Sequence, residues 1–156
     1  MKQLLSAICV MVCCSACAQQ NALDKFYDQY KSSDALTGSI SISPGFWLST
    51  SFSSPADEKW KDKVTNLRLL ILDGKKTPGA AVDASDLARK LRDGHFDDLV
   101  NVRKGHQLFQ VLGRESDGIY SQLVLLMRGD DDGVVFAEID GKFTSHDVET
   151  IQGSLH

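Results

Sequence analysis

"IYSQLVLLMRGDDDGVVFAEIDGKF", Ile119–Phe143, holds two apolar runs on either side of four turn-forming residues, Asp130-Asp131-Asp132-Gly133. Runs rich in Val, Leu, Ile and Phe that are broken by an Asp-Gly turn have the pattern of an antiparallel hairpin. The same punctuation recurs upstream at Lys104-Gly105 and Ser116-Asp117-Gly118, and downstream at Asp140-Gly141. Glycine turns this closely spaced predict a meander of strands that begins with Val100 and Val102.

Ahead of the meander, "NLRLLILDG" (Asn66–Gly74) is a nearly continuous apolar run closed by Asp-Gly. It reads as a strand buried on both faces and as the spine of the sheet. Asp83, with Asp86 three residues on, is expected to cap a helix whose Ala84, Leu87, Ala88 and Leu91 form one face and which stops at Gly94. "TGSISIS" (Thr37–Ser43) alternates, predicting a half-buried strand with Ile40 and Ile42 on one side. Ser43-Pro44 and Ser54-Pro55-Ala56-Asp57 each open a short helix, the first carrying Phe46, Trp47 and Leu48, the second Trp60. Leu23, Phe26, Tyr27 and Tyr30 recur at i, i+3, i+4 and i+7, so 22–31 is an expected amphipathic helix with Asp24, Lys25, Asp28 and Lys31 outward. Thr144 with Asp147 three residues later caps a last helix packing through Val148, Ile151 and Leu155. This succession predicts an α+β fold: a mostly antiparallel sheet of about five or six strands with helices packed on one face, as a single compact domain over 19–156.

The N-terminus carries different information. Met1-Lys2, the apolar run Leu4–Val12 and the small residues after it have the order of a secretory signal, residues 1–18, or 1–16 for a lipoprotein. All four cysteines of the chain, Cys9, Cys13, Cys14 and Cys17, fall there, so the rest of the chain holds no disulfide or zinc pattern. Two processing readings stand side by side. Ala16-Cys17-Ala18 has the A-x-A form of ordinary cleavage before Gln19, whereas Cys14-Ser15-Ala16-Cys17 resembles a lipobox, with Cys14 where that motif usually has Leu. In the second reading Cys17 is lipidated and tethers the domain to a membrane. No apolar run after the leader is long enough for a transmembrane helix. Without residues 1–18 the chain keeps 17 − 1 = 16 basic residues against 21 acidic, a net charge of −5, which sets it against nucleic acid.

The leader ending in Ala18-Gln19, the early "ALDKFYDQYKSSD" helix, the "SISISPGF" junction, "LRLLILDG" and the late "IYSQLVLLMRGDDDGVVFAEIDGKF" together resemble domain-of-unknown-function family 4252. The resemblance runs over nearly the whole chain and rests on the order of segments. It implies a small exported or lipid-anchored envelope protein of a gram-negative bacterium, periplasmic or at the outer membrane, in a regulatory or envelope-stress setting. It brings no catalytic residues, cofactor or metal ligands with it.

Each candidate for chemistry has a structural reading beside it. The three contiguous carboxylates Asp130–Asp132 lack the alternate spacing of a calcium loop and read as a hairpin turn. His95, near Asp97 and Asp98, is either an acid/base group or a cation at a helix C-terminus, and the second reading is preferred. His106, His146 and His156 have no second ligand at a metal-binding spacing. Gly74-Lys75-Lys76-Thr77 lacks the upstream glycine of a phosphate loop, and Ser49–Ser54 contains no nucleophile elbow. Glu138, inside an apolar run, is read as facing solvent from an alternating strand; the other reading is a buried, perturbed acid. Phe46 and Trp47 point about 100° apart on a helix, so one of them faces outward, and Trp47 with Trp60 forms a candidate interaction surface. The function expected is a non-catalytic module that binds an envelope protein or small ligand, with no cofactor. The alternative is a small periplasmic enzyme of hydrolase type assembled from His95, Asp97 and Glu138.

Overall fold

The computed structural model describes residues 22–34, 36–42 and 62–153. The leader with Cys17, the expected short helices with Trp47 and Trp60, and the side chains of Ile40, Ile42, Ile151 and Leu155 lie outside the described residues. The elements are α1 (22–30), β1 (Leu36–Ile42), β2 (Val64–Leu72), α2 (Ala80–Asp93), β3 (Asp97–Lys104), β4 (Gln107–Ser116), β5 (Ile119–Arg128), β6 (Val134–Thr144) and α3 (Ser145–Gly153). Six strands form one sheet in the order β1-β2-β6-β5-β4-β3, and every neighbouring pair is antiparallel. The α+β class and the meander over β3–β6 are as the glycine turns predicted.

Three expectations about the sheet are corrected. The run Asn66–Gly74 is not its spine: β2 lies one strand in from the edge, and β6 and β5 occupy the middle. Nor is it buried on both faces: Leu70 and Leu72 on one side are buried, whereas Leu67 and Leu69 on the other are half-buried and Ile71 is exposed, because no described helix packs on that side of β2. Asp140-Gly141 is not a turn either, but lies inside β6 beside register shifts on both neighbouring strands. The glycine serves close approach. A Cβ at Gly141 would sit 2.2 Å from the Lys63 carbonyl oxygen and 2.7 Å from the Phe143 ring, where Lys142 N–H donates to that same carbonyl.

In an antiparallel pair, directly opposed residues share a face. The registers therefore place Leu70, Leu72, Leu112, Val124, Leu126, Val134 and Phe136 on one side of the sheet. These residues form one core with Leu23, Phe26 and Tyr30 of α1 and Ala84, Leu87, Ala88 and Leu91 of α2. Both helices thus bury the stripe that their sequence periodicity indicated. The third helix adjoins β6 and β3, and its buried Val148 is not part of this cluster.

Helix ends follow local chemistry in two cases and depart from it in a third. At α3, Thr144 N–H and Oγ1 donate to Asp147 Oδ2 at 2.8 Å, and Asp147 N–H returns a bond to Thr144 Oγ1, closing the expected capping box. After α2, Phe96 N–H reaches the Leu91 carbonyl and His95 N–H reaches Arg92, a Schellman turn with His95 in the left-handed region at φ 68°. Phe96 and Leu91, the positions of that motif's apolar pair, are both buried in the same core cluster. The start of α2 differs from the reading of Asp83 as its cap: the helix begins at Ala80 after Gly79, with no side-chain cap. Asp83 instead accepts from Tyr30 Oη at 2.6 Å and Gln29 Nε2 at 2.9 Å, tying α1 to α2. Burial and this bond together push the Tyr30 phenol well above its ordinary pKa.

Lys63, just before β2, donates to Asp147 Oδ1, and chiefly through that bond the Asp147 carboxyl is held down at about 2. Partial burial opposes the shift and the Thr144 bonds add to it. A depressed folded-state pKa adds stability above the unfolded value, 3.8, and loses it as pH falls from there through about 2. Lys63→Met is therefore expected to cost about 1 kcal/mol at pH 6, screening at the partly exposed lysine included, and next to nothing at pH 2. Urea titrations of both proteins at the two pH values check this; an equal loss at both would remove the ion pair from the account.

Candidate ligand-binding site

The registers carry one row of side chains across five strands: Ile71 opposes Val135, Val135 opposes Met127, Met127 opposes Phe109 and Phe109 opposes Val102. This row lies on the face opposite the α1–α2 core, where β2 ends, β5 turns into β6 and β3 turns into β4. Its two ends and its middle remain open, with Ile71 39%, Val102 50% and Met127 42% exposed. Further along the same face Val111, Leu123 and Ala137 are buried. A cleft of about 650 Å³ follows the row, within the range of small-molecule sites. Asp73, Lys104, Arg128 and Asp131 stand at its strand-end rim.

Backbone turns shape that rim. Asp132 takes the left-handed conformation, Gly129 N–H donates to the Gly133 carbonyl, and Gly133 N–H donates to Asp131 Oδ1. The acidic stretch is thus the expected hairpin turn. Asp73 accepts from Lys75 N–H through its side chain and from Thr77 Oγ1 through its carbonyl, so Gly74–Thr77 is a turn on Asp73 rather than a phosphate cradle. Arg128 donates twice to the His106 carbonyl, which fixes the β3–β4 turn against β5.

A second arrangement lies on the helix-bearing face. Glu138 is 0% exposed, so the reading of it as solvent-facing is overturned. Odd-numbered Val135, Ala137 and Ile139 face the other side, and β6 is apolar on both. Arg68 Nε donates to Glu138 Oε2 at 2.8 Å, a second guanidinium nitrogen bonds the same oxygen, and Nη1 reaches Asp24 Oδ1 of α1 at 2.8 Å. Gln122 Nε2 joins Glu138 Oε1 and Asp140 Oδ1, both at 2.8 Å, and Asn66 donates to Asp140. Arg68 sits 5.0 Å from the centre of the Tyr27 ring. Burial alone disfavours its charge, but Asp24 and Glu138 outweigh that and raise its pKa. Arg114, 4.6 Å from the Phe96 ring centre, shows the reverse balance: desolvation lowers its pKa against the pull of Asp140 and Glu138. A carboxylate with no exposed surface, clamped in this way, orders α1 against the sheet; it is not placed to meet a substrate.

The proposed acid/base trio is not brought together. Glu138 on β6 and Asp97 on β3 are three strand spacings apart, about 14 Å, and their registers put them on opposite faces. His95 is exposed in the Schellman turn. Among the described residues no group of three or more His, Cys, Asp or Glu is placed to hold a metal ion, and no helix is long and apolar enough to cross a membrane. Cys17, Trp47 and Trp60 lie outside the described residues. Sequence reasoning missed the cleft row, although its signal was present. Leu67, Leu69 and Ile71 alternate with Arg68, Leu70 and Leu72, so β2 is apolar on the side away from the helices as well.

Residues 30–151 of the 156-residue chain match the family described as Domain of unknown function (DUF4252). The chain belongs to that family. No curated protein matches it. The DUF4252 match begins at the end of α1 and ends in α3, so it takes in the cleft row and the Arg68–Glu138 pair, but not Asp24 and Tyr27.

Proposed function

We propose that this DUF4252 protein is a non-catalytic binding module that takes an elongated amphipathic small ligand along the Ile71–Val135–Met127–Phe109–Val102 row. The observation that supports the reading is the row itself: apolar side chains from five strands, with Ile71, Met127 and Val102 open, beside a cleft of ligand size. Apolar contact supplies the affinity, and the mixed charges of Lys104, Arg128, Asp73 and Asp131 at the rim meet the ligand's polar end. In this reading α1 and α2 serve one face of the sheet, and the strand-end part of the other face serves the ligand. Export through the leader, with or without a lipid on Cys17, would put the module in the cell envelope, and Trp47 and Trp60 would contact a partner there.

The neutral apolar fluorophore N-phenyl-1-naphthylamine tests the site. It is expected to bind saturably to the protein and to lose at least about tenfold in affinity in Met127→Glu, since a carboxylate set in the middle of the row must be desolvated by the probe. Val82→Glu, at an exposed position on α2 away from the row, should bind as the parent does. Absence of saturable binding, or equal binding by Met127→Glu, would overturn the reading.

A further inference from the structure

β3 ends the sheet, and beyond it no described strand pairs. Such an edge presents a row of backbone donors and acceptors, which proteins commonly guard with charge and with bulges. Both devices are present, in an unusual distribution. The strand reads Asp97-Asp98-Leu99-Val100-Asn101-Val102-Arg103-Lys104, acidic at its start and basic at its end, with the register shift at Leu99. Asp97, Asp98, Asn101, Val102, Arg103 and Lys104 are all exposed.

We propose that β3 pairs antiparallel with β3 of a second copy of this chain about a two-fold axis at Asn101, joining the two sheets edge to edge. Such an axis is perpendicular to the sheet, so each residue must oppose one on its own face. Centred on Asn101, the pairing sets Val100 against the second copy's Val102. Because Leu99 is the extra residue of the shift, Asp98 then opposes Arg103 and Asp97 opposes Lys104, each pair on one face. Both ends are matched in charge twice over by the symmetry. Moving the axis one residue pair in either direction loses these matches, and a parallel pairing sets like charge against like. The charges that repel an arbitrary edge therefore admit an antiparallel copy. Eight residues make a small interface, so the dimer is weak and reversible. The proposal does not depend on the ligand reading, since it concerns the strand edge and not the cleft.

Asp98 also accepts two bonds from Arg92 of α2, so the outer pair Asp97–Lys104 is the one to alter. In sedimentation velocity from about 10 µM to about 1 mM, the parent is expected to shift from monomer to dimer. Asp97→Lys and Lys104→Asp should each weaken the dimer at least tenfold, because each sets two like-charge pairs across the axis. An equimolar mixture of the two variants should regain it, since every altered residue then meets its opposite. Asn101→Cys should form an intermolecular disulfide that the parent, with its own cysteines, does not give, and Arg103→Cys should not. A parent that stays monomeric throughout with no excess crosslinking of Asn101→Cys, or single variants that dimerise as the parent does, would overturn the proposal.

Discussion

Arg68→Met is expected to cost the fold about 3–5 kcal/mol, because it leaves the fully buried Glu138 carboxylate without the cation that compensates it. The loss has two parts. The ion pair itself goes, and with it the Asp24 bond and the Tyr27 contact that hold α1 on the sheet. The larger part is the uncompensated charge, and a second substitution separates the two. Arg68→Met combined with Glu138→Leu removes the charge as well as its partner, so the double variant should be more stable than the single one by at least about 2 kcal/mol. The deficit of Arg68→Met should also narrow as pH is lowered, because protonation relieves the stranded carboxylate. Urea unfolding of the parent and both variants at pH 7 and pH 4 checks all three statements. A double variant no better than the single would mean that Glu138 is not the source of the loss.

The second large effect is steric. Gly74→Ala should destabilise by about 2–4 kcal/mol, since its Cβ would sit 2.1 Å from the Asp131 carbonyl oxygen and 2.4 Å from the Asp132 carbonyl carbon and the Gly133 nitrogen. All three are backbone atoms, so no side-chain rotation relieves the overlap; either β2's last turn or the acidic hairpin must move. Gly79→Ala is the matched control. It has open space around its Cβ and an ordinary right-handed backbone, so it should be neutral or gain up to about 1 kcal/mol through the unfolded state. Thermal unfolding of the two variants side by side tests this. A small loss at Gly74 would show that the two turns are not in close contact.

The features legible in the sequence are those whose physics is local. The Thr144–Asp147 box needs a hydroxyl and a carboxylate three residues apart, and both are visible in the chain. The Leu23, Phe26 and Tyr30 stripe of α1 follows from 3.6 residues per turn, and the hairpin turns at Gly105, Gly118 and Asp132 follow from residues that tolerate the left-handed region. Gly141 shows the limit of such reading. Asp-Gly marks a turn when the glycine is needed for its backbone angles, but here it is needed because Lys63 passes within contact distance, and Lys63 lies far away in sequence.

Glu138 and the cleft row fail for a related reason. Alternation identifies an outward position only if one face of a strand meets water, and β6 has apolar residues on both faces. Which face the helices cover then depends on register and strand order, set by long-range pairing. Class, meander and helix faces were determined by the chain's own periodicities. The central place of β6, the burial of Glu138 beneath Arg68 and the joining of Ile71 to the apolar row exist only once β2 pairs with β6, because each joins residues that no local spacing relates; the charge order along β3 is local, but its place at the edge of the sheet is set by the strand order.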